Sequence, residues 1–368
     1  MALQGYLGRV KIILKDKEQK KNSFKIIKEL IKTTIKNKEI PTYYATKFLY
    51  RDDSGNYEDY LSSSEELQVR FSTNLHKLEF HTLLKNKLSS ALYFERCDLA
   101  VPKMPCYNIH GNFFSADQTE EISDLRALKD FFTRIMEKHQ LDALFLKELA
   151  ESGGVGCYLL RKDELESSLE KIGLKLLKGS FIHQEAVQQH DTINAINPSS
   201  LNTIRFETYI DKTGKIHIVS CYMRFGIGKS IVDNASSGGF FVSIDQESGK
   251  LKGKGYQKIK ADGGGKIFLV HPDTNVTLDD IEIPFFQEAC GLVYKAVEYL
   301  PERYVGWDVA ISATGPILIE GNGSPHIILA DIAYGGYRKH PLYAEILEEA
   351  HKGQKHQSRM MFFKNLAN

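Results

Sequence analysis

The sequence predicts a mixed α+β fold built on antiparallel hairpins, and three observations carry that prediction. Two pairs of apolar runs flank short turn signals: Thr203 to Ile210 and Ile216 to Phe225 around Asp211-Lys-Thr-Gly214, and Asp308 to Ser312 and Pro316 to Glu320 around Ala313-Thr-Gly315. Helical periodicity occupies separate segments, Ser23 to Ile40, Asn74 to Asn86 and Leu125 to His139. No GxGxxG follows a strand, which argues against a parallel dinucleotide-binding sheet.

The chain has 368 residues, 42% of them hydrophobic, with 48 Lys+Arg against 47 Asp+Glu. It can bury a large core, and at roughly 150 residues per domain its length suggests two or three units. A net charge of +1 excludes a strongly polycationic nucleic-acid binder. The balance conceals an asymmetry: residues 1–40 carry eleven Lys/Arg and four acids, a local net of +7, which leaves the other 328 at −6. No stretch approaches the roughly 18 apolar residues of a membrane span, and Met1 to Lys20 lacks the apolar core of a secretory signal, so a cytoplasmic protein is expected. Cys97, Cys106, Cys157, Cys221 and Cys290 are odd in number and form no CxxC pair, so five reduced thiols are expected.

Taken in order, Phe24, Ile26, Ile27, Leu30, Ile31 and Ile35 recur at helical spacing among lysines. Two readings stand: a solvated helix on the body, or a surface for anionic lipid or an acidic partner. Residues 51 to 72 are polar and turn-rich and end in a capping-box-like Ser63-x-x-Glu66. Leu99 to Pro102 and Cys106 to Ile109 read as short strands, and Asp142 to Lys147 as a buried one.

Three glycine-rich places invite a phosphate hypothesis. Gly226-Ile-Gly228-Lys229-Ser230 has Met223 where a P-loop needs glycine, and Gly263-Gly-Gly265-Lys266 is followed by Ile267 where Ser or Thr is required. The third, Ser152-Gly153-Gly154-Val155-Gly156, follows a strand that ends in Lys147. A lysine facing a glycine loop suits polyphosphate, although a plain glycine hairpin has the same sequence signature.

Gly306 to Pro325 is the most informative segment. With Ala313-Thr-Gly315 as a three-residue loop, Ser312 pairs with Pro316, and Asp308 falls opposite Glu320. Opposed carboxylates repel, so one is protonated or a cation lies between them. Asn322 adds a carbonyl oxygen, and three oxygen donors suit Mg²⁺, which retains waters and phosphate oxygens. Val309, Ile311, Ile317 and Ile319 form the apolar face on this register.

These residues resemble the ATP-grasp superfamily, and more closely its sugar-transfer-associated branch, from about Asn74 to about Gly336. The resemblance rests on Ser200-Leu-Asn-Thr-Ile-Arg205, Arg224-Phe-Gly-Ile-Gly228, Val232-Asp-Asn234, Gly238-Gly239, His271-Pro272, Gly306-Trp-Asp308 and Glu320-Gly-Asn322, in an order similar to glutamate-ligase-like enzymes. It implies an ATP-grasp fold with the nucleotide between two α+β subdomains. Expected units are a basic helical extension (1–72), a first α/β subdomain (73–140), a small subdomain with glycine loop and hinge (141–198), a large subdomain with the metal site (199–345) and a tail (346–368).

Residue by residue, the resemblance implies that Lys147 and, as the first ATP lysine, Lys77 contact ATP, and that Ser152, Gly153, Gly154 and Gly156 close over its phosphates. Gln184, Glu185 and Val187 resemble the adenine and ribose hinge, with His190 at a ribose-contacting position. Asp308, Glu320 and Asn322 would bind Mg²⁺, two ions bridged by Glu320, with Mn²⁺ as a substitute. Arg205, Arg224 and Asn234 would hold the transferring phosphoryl group. The implied activity is an ADP-forming carboxylate–amine ligase acting through an acylphosphate, on a carboxylated sugar or related metabolite in polysaccharide biosynthesis. A kinase on the same fold and a non-catalytic nucleotide-binding regulator are the alternatives. The implied partners are ATP, a small carboxylate and an amine, with membrane-surface contact through residues 1–40.

Overall fold

A computed structural model describes residues 13–14, 16, 19–151, 153–260 and 263–352. A helix at Ser23–Asn37 is capped by the Asn22 side chain, which accepts from Phe24 N at 2.9 Å. The next eight-residue helix, Ser63–Arg70, has a capping box one residue earlier than expected. Ser62 Oγ accepts from Glu65 N at 3.2 Å, and the Glu65 carboxylate accepts from Ser62 N at 2.7 Å. Glu66 is thereby left to pair with the buried Lys47. The Asn74 to Asn86 pattern becomes a helix at Leu78–Lys85, followed at once by Lys87–Arg96.

Strands β1 (Cys106–Ile109), β2 (Asn112–Ser115) and β3 (Thr119–Glu121) follow, then β4 (Ala143–Glu148), β5 (Cys157–Arg161) and β6 (Ser180–Glu185). They form a six-stranded sheet in the order β3-β2-β1-β6-β4-β5. Helices Leu125–His139 and Leu165–Lys178 cover it, and Phe113, Phe131, Phe132, Leu144, Leu146 and Phe181 fill the core between. Residues 99–102 are extended without forming a strand, although Ala100 O accepts from Leu318 N at 2.7 Å.

The second sheet contains β7 (Thr203–Ile210), β8 (Ile216–Phe225), β9 (Phe240–Ile244), β10 (Leu251–Gln257), β11 (Ile267–Phe268), β12 (Tyr304–Ser312) and β13 (Gly315–Asn322). Its order is β11-β10-β9-β8-β7-β12-β13, with antiparallel pairing throughout. Both faces are covered. On one, Phe206, Met223, Trp307 and Val309 pack with Ala289 and Val293 of the Phe286–Tyr299 helix. Trp307 is fully buried and donates to Thr208 Oγ1 at 2.9 Å.

On the other face, Tyr209, Tyr222 and Tyr304 share a core with Tyr43, Tyr44, Tyr50 and Leu61 from the basic start of the chain. That segment is tied in by buried charges. Lys47 Nζ lies 2.5 Å from Asp331 Oδ2 and donates to Leu61 O at 2.7 Å. Arg51 donates to Asp16 and to Gly265 O. All five cysteines are free thiols, as expected.

Candidate functional site

The site hairpin is built by two departures from the expected register that offset one another. Ser312 pairs with Gly315, so the loop has two residues, Ala313 and Thr314, rather than three. Gly315 sits at φ 139°, and Ser312 Oγ donates to its carbonyl at 2.7 Å. Val309 then opposes Leu318, and a β-bulge before Asp308 takes up one residue, Ile319. Asp308 therefore lies opposite Glu320 as expected, although the stretch between was off by one. The same shift puts Leu318 in the core and leaves Ile317 and Ile319 partly exposed, which corrects the apolar face predicted for that strand.

Sheet register brings both arginines to Asp308. Asp308 opposes Arg205 on β7, and Arg205 opposes Tyr222 on β8, two residues before Arg224. Arg205 donates through Nε to Asp308 Oδ1 at 2.5 Å and through an Nη to Oδ2 at 3.0 Å. The Arg224 guanidinium reaches the same carboxylate at 3.1 Å. Burial alone would raise the Asp308 carboxyl, but the two guanidiniums outweigh it and hold it below the usual range.

Two residues assigned no role from sequence complete this cluster. Thr203 Oγ1 accepts from Arg224 Nε at 3.2 Å and donates to Asp233 Oδ2 at 2.6 Å, while Asp233 also accepts from Thr203 N. Thr203 is two residues from Arg205 on the same strand face, and Asp233 adjoins Asn234, so both lay inside legible motifs.

A cleft lies between the sheets. Lys147 of β4, Ile182 and Gln184 of β6, and Leu318, Ile319 and Glu320 of β13 line it, together with Lys87 and Phe94. Glu320 accepts no hydrogen bond from the described residues, and burial together with Asp308 raises its carboxyl. Burial lowers the Lys147 amine, against the opposing pull of Glu320. Gln184 is buried with its Oε1 unpartnered.

The glycine loop joins β4 to β5, with Gly153, Gly154 and Gly156 all at positive φ. It is seated on the second sheet: Ser236 and Ser237 donate to Gly153 O at 3.3 and 3.1 Å. A Cβ on Gly154 would stand 2.8 Å from Val232 Cγ2 and 3.0 Å from Asn234 Nδ2, so only glycine permits this approach. Lys87 Nζ donates to Glu151 O behind the loop. Ser152 lies outside the described residues.

The hinge runs from β6 back to the hairpin. Glu185 pairs with Lys103 through backbone and side chain, and Gln188 O accepts from Ala313 N at 3.3 Å. Val187 is partly buried on this link. His190 Nδ1 accepts from Thr192 N at 3.1 Å at the start of the 191–196 helix. Lys77 is not among the residues that line the cleft. It is exposed, its amine turned to Thr73 O, whereas Lys87 in the next helix lines the cleft. His183 is fully buried against Phe132, bonded to Asn108 and lowered to about 3 by burial, so it is a neutral packing group.

Among the described residues no group of three or more His, Cys, Asp or Glu is placed to hold a metal. Two carboxylates and an amide oxygen remain. Asn322 donates its amide to Asp308 at 3.4 Å, which leaves its carbonyl oxygen and the Glu320 carboxylate as hard donors beside the cleft. This all-oxygen set fits Mg²⁺ accompanied by a polyphosphate and waters.

A family model described as sugar-transfer associated ATP-grasp matches residues 66–342. No curated protein matches the chain. Similar solved structures include D-alanyl-alanine synthetase A from Vibrio cholerae O1 biovar eltor, 12% identical over 73% of this chain and 64% of that one, TM-score 0.42. D-alanine–D-alanine ligase from Bacillus anthracis is 14% identical over 75% and 70%, TM-score 0.39. The ATP-grasp ligase PsnB, complexed with minimal precursor, Mg and ADP, is 13% identical over 75% and 62%, TM-score 0.38. The chain thus spans less than two thirds of the Vibrio cholerae protein's length.

Proposed function

The chain belongs to the sugar-transfer associated ATP-grasp family, and from that premise we propose that it is an ATP-dependent carboxylate–amine ligase acting through an acylphosphate. The observation that carries this reading is the cleft itself. Lys147 from one sheet and Glu320 from the other line one cavity, Glu320 lies opposite Asp308 of the Asp308–Arg205–Arg224 cluster, and the strand carrying Lys147 leads into a glycine loop seated near Asn234.

In this reading Gln184, Glu185 and Val187 hold the adenosine end, while Lys147 and Lys87 meet the phosphates as point charges. Backbone N–H groups of Gly153 to Gly156 cover them. Asp308, Glu320 and Asn322 would hold Mg²⁺, and the ion would supply charge neutralisation for a transferring phosphoryl group. Arg205 and Arg224, held in place by Asp308, Thr203 and Asp233, stabilise that group and the acylphosphate formed from it, with Asn234 beside them. An amine then displaces phosphate to give an amide. The family's association points to a carboxylated sugar or related metabolite as the acid, in polysaccharide biosynthesis, and the basic start of the chain is compatible with work beside a membrane-bound assembly. We assign the glycine loop and the hinge to the unit built on the six-stranded sheet, which takes in β1 to β3 and so reaches back from the expected 141–198 to about residue 106, and the carboxylate hairpin to a larger one, 199–345.

The test is product analysis by mass spectrometry with Mg-ATP and a matrix of carboxylates and amines. The expected products are ADP, free phosphate and an amide. Phosphate retained on the acceptor identifies a kinase instead, and ATP left intact in every pairing removes the catalytic reading.

A further inference from the structure

The Ser23–Asn37 helix meets the body through polar residues and turns an apolar stripe outward. Glu29 and Thr33 are its buried positions. The Glu29 carboxylate is held by Lys21 Nζ at 3.1 Å and the Tyr44 hydroxyl at 2.6 Å, and the Thr33 hydroxyl donates to Glu29 O at 2.6 Å. Ile26 and Leu30 flank this docked face, partly buried. The remaining apolar residues are open: Phe24 is 76% exposed, Ile27 and Ile31 each 55%, and Ile35 73%.

At 3.6 residues per turn these four fall within an arc of about 80°. Lys25, Lys28, Lys32 and Lys36, all exposed, occupy the arc between the stripe and the docked face. Ile40, just beyond the helix, is 68% exposed. An amphipathic helix of a globular protein buries its apolar stripe and wets its polar face, and this helix does the reverse. A contiguous apolar patch of this kind marks an interaction surface.

We propose that this helix is an interfacial anchor that lies in the surface of a bilayer containing anionic lipid. Charge selects the occupant. The only acid between Ser23 and Asn37 is Glu29, which faces inward, so the outward side offers apolar groups bordered by four lysines, with Glu58 of the body lining a pocket beside Lys32 and Lys36. A second copy packed stripe to stripe would bring the same lysines together. A lipid surface accepts both components, the side chains entering the acyl boundary while the amines meet lipid phosphates. The proposal sharpens the membrane-side placement above, uses no residue of the nucleotide cleft, and stands or falls apart from the ligase reaction.

Flotation of the full chain, without nucleotide, on vesicles containing phosphatidylglycerol and on vesicles of phosphatidylcholine alone tests it. Point variants are preferable to removal of residues 1–40, which would strip Glu29 and Lys21 from the Tyr44 core. The wild-type chain is expected to float with anionic vesicles only and to detach as salt rises. Phe24→Asp with Ile31→Asp should abolish flotation without changing the melting temperature, because both side chains are exposed. Lys28→Gln or Lys32→Gln should weaken binding roughly fivefold each. ATP turnover in vesicle-free buffer should be equal in wild type and double variant; its absence from both falls on the ligase reading and leaves the flotation result standing. No flotation on anionic vesicles at low salt overturns the anchor, as does equal flotation of the double variant. So does a solution dimer that the double variant dissolves, since a second copy would then occupy the stripe.

Discussion

Asp308 and Glu320 are cross-strand neighbours with different dependents, and substitution separates them. Asp308 is buried and carries two guanidiniums, so Asp308→Ala takes the carboxylate from Arg205 and leaves Arg224 only Asp233, 3.5 Å away, and should cost about 3–5 kcal/mol of stability. Loss of activity in that variant would therefore be confounded with unfolding. Glu320 has no hydrogen-bonded dependent among the described residues and borders the cleft. Glu320→Gln should leave the melting temperature within a few degrees of wild type, while ADP release with Mg-ATP falls by about two orders of magnitude or more. A second carboxylate gives a pH signature. Glu207 is buried, accepts from the Tyr304 and Tyr337 hydroxyls at 2.5 and 2.9 Å, and leaves its other oxygen unpartnered. Burial pushes it up to about 7 despite those bonds. Because the folded state then binds a proton that the unfolded state releases near pH 4–5, Glu207 contributes stability below that range, and the contribution falls as pH rises toward 7 and beyond. Thermal melts at pH 5 and pH 8 should show Glu207→Gln with a shallower decline than wild type.

Among the elements, the glycine loop is sensitive to a single methyl group. Gly154 sits at φ 85° against Val232 and Asn234. Gly154→Ala adds a strained backbone to a contact that has no room, and should raise the KM for ATP about tenfold or more while leaving global stability nearly unchanged. ADP release against ATP concentration reads the first and a thermal melt the second. Local elements were largely legible. β7 and β8 begin and end where the apolar runs do, because alternation and the Asp211 to Gly214 turn are local signals. The carboxylate pairing of the site hairpin was legible for an incomplete reason, since neither the two-residue turn nor the bulge leaves a mark in residue type. Lys77 and Lys87 illustrate the remaining limit. Both are lysines next to helix starts, and only the packing of the Lys87–Arg96 helix beneath the cleft distinguishes them.

Over the whole molecule, the least legible feature is the burial of the basic N-terminal segment. Nothing local marks Lys47 and Arg51 for burial, yet they are 2% and 1% exposed, and besides Glu66 the partner of Lys47 lies 284 positions away at Asp331. No local pattern encodes such a pair. It ties the start of the chain to the helix at Ile328–Tyr334, next to the tyrosine-rich face of the larger sheet. Lys47→Met should leave the Asp331 carboxylate buried without its cation, although Leu61 N and Tyr337 N still donate to it. A loss of about 3–5 kcal/mol is expected, read as a lower denaturant midpoint for the single unfolding transition. If the N-terminal segment were an independent appendage, the same substitution would leave that midpoint where it is.

The bulge in β13 also sets how the strand tolerates a change of length. With a two-residue turn, a chain lacking Ile319 would run in regular register and still bring Glu320 opposite Asp308 on the same face. Loss of Leu318 would restore the same register but seat Ile319 at the core position opposite Val309. Ile319 is thus a spare link in the strand: removing it trims the wall of the cleft and leaves the carboxylates in place. A strand one residue shorter would keep its paired acids and lose only the bend that the bulge adds.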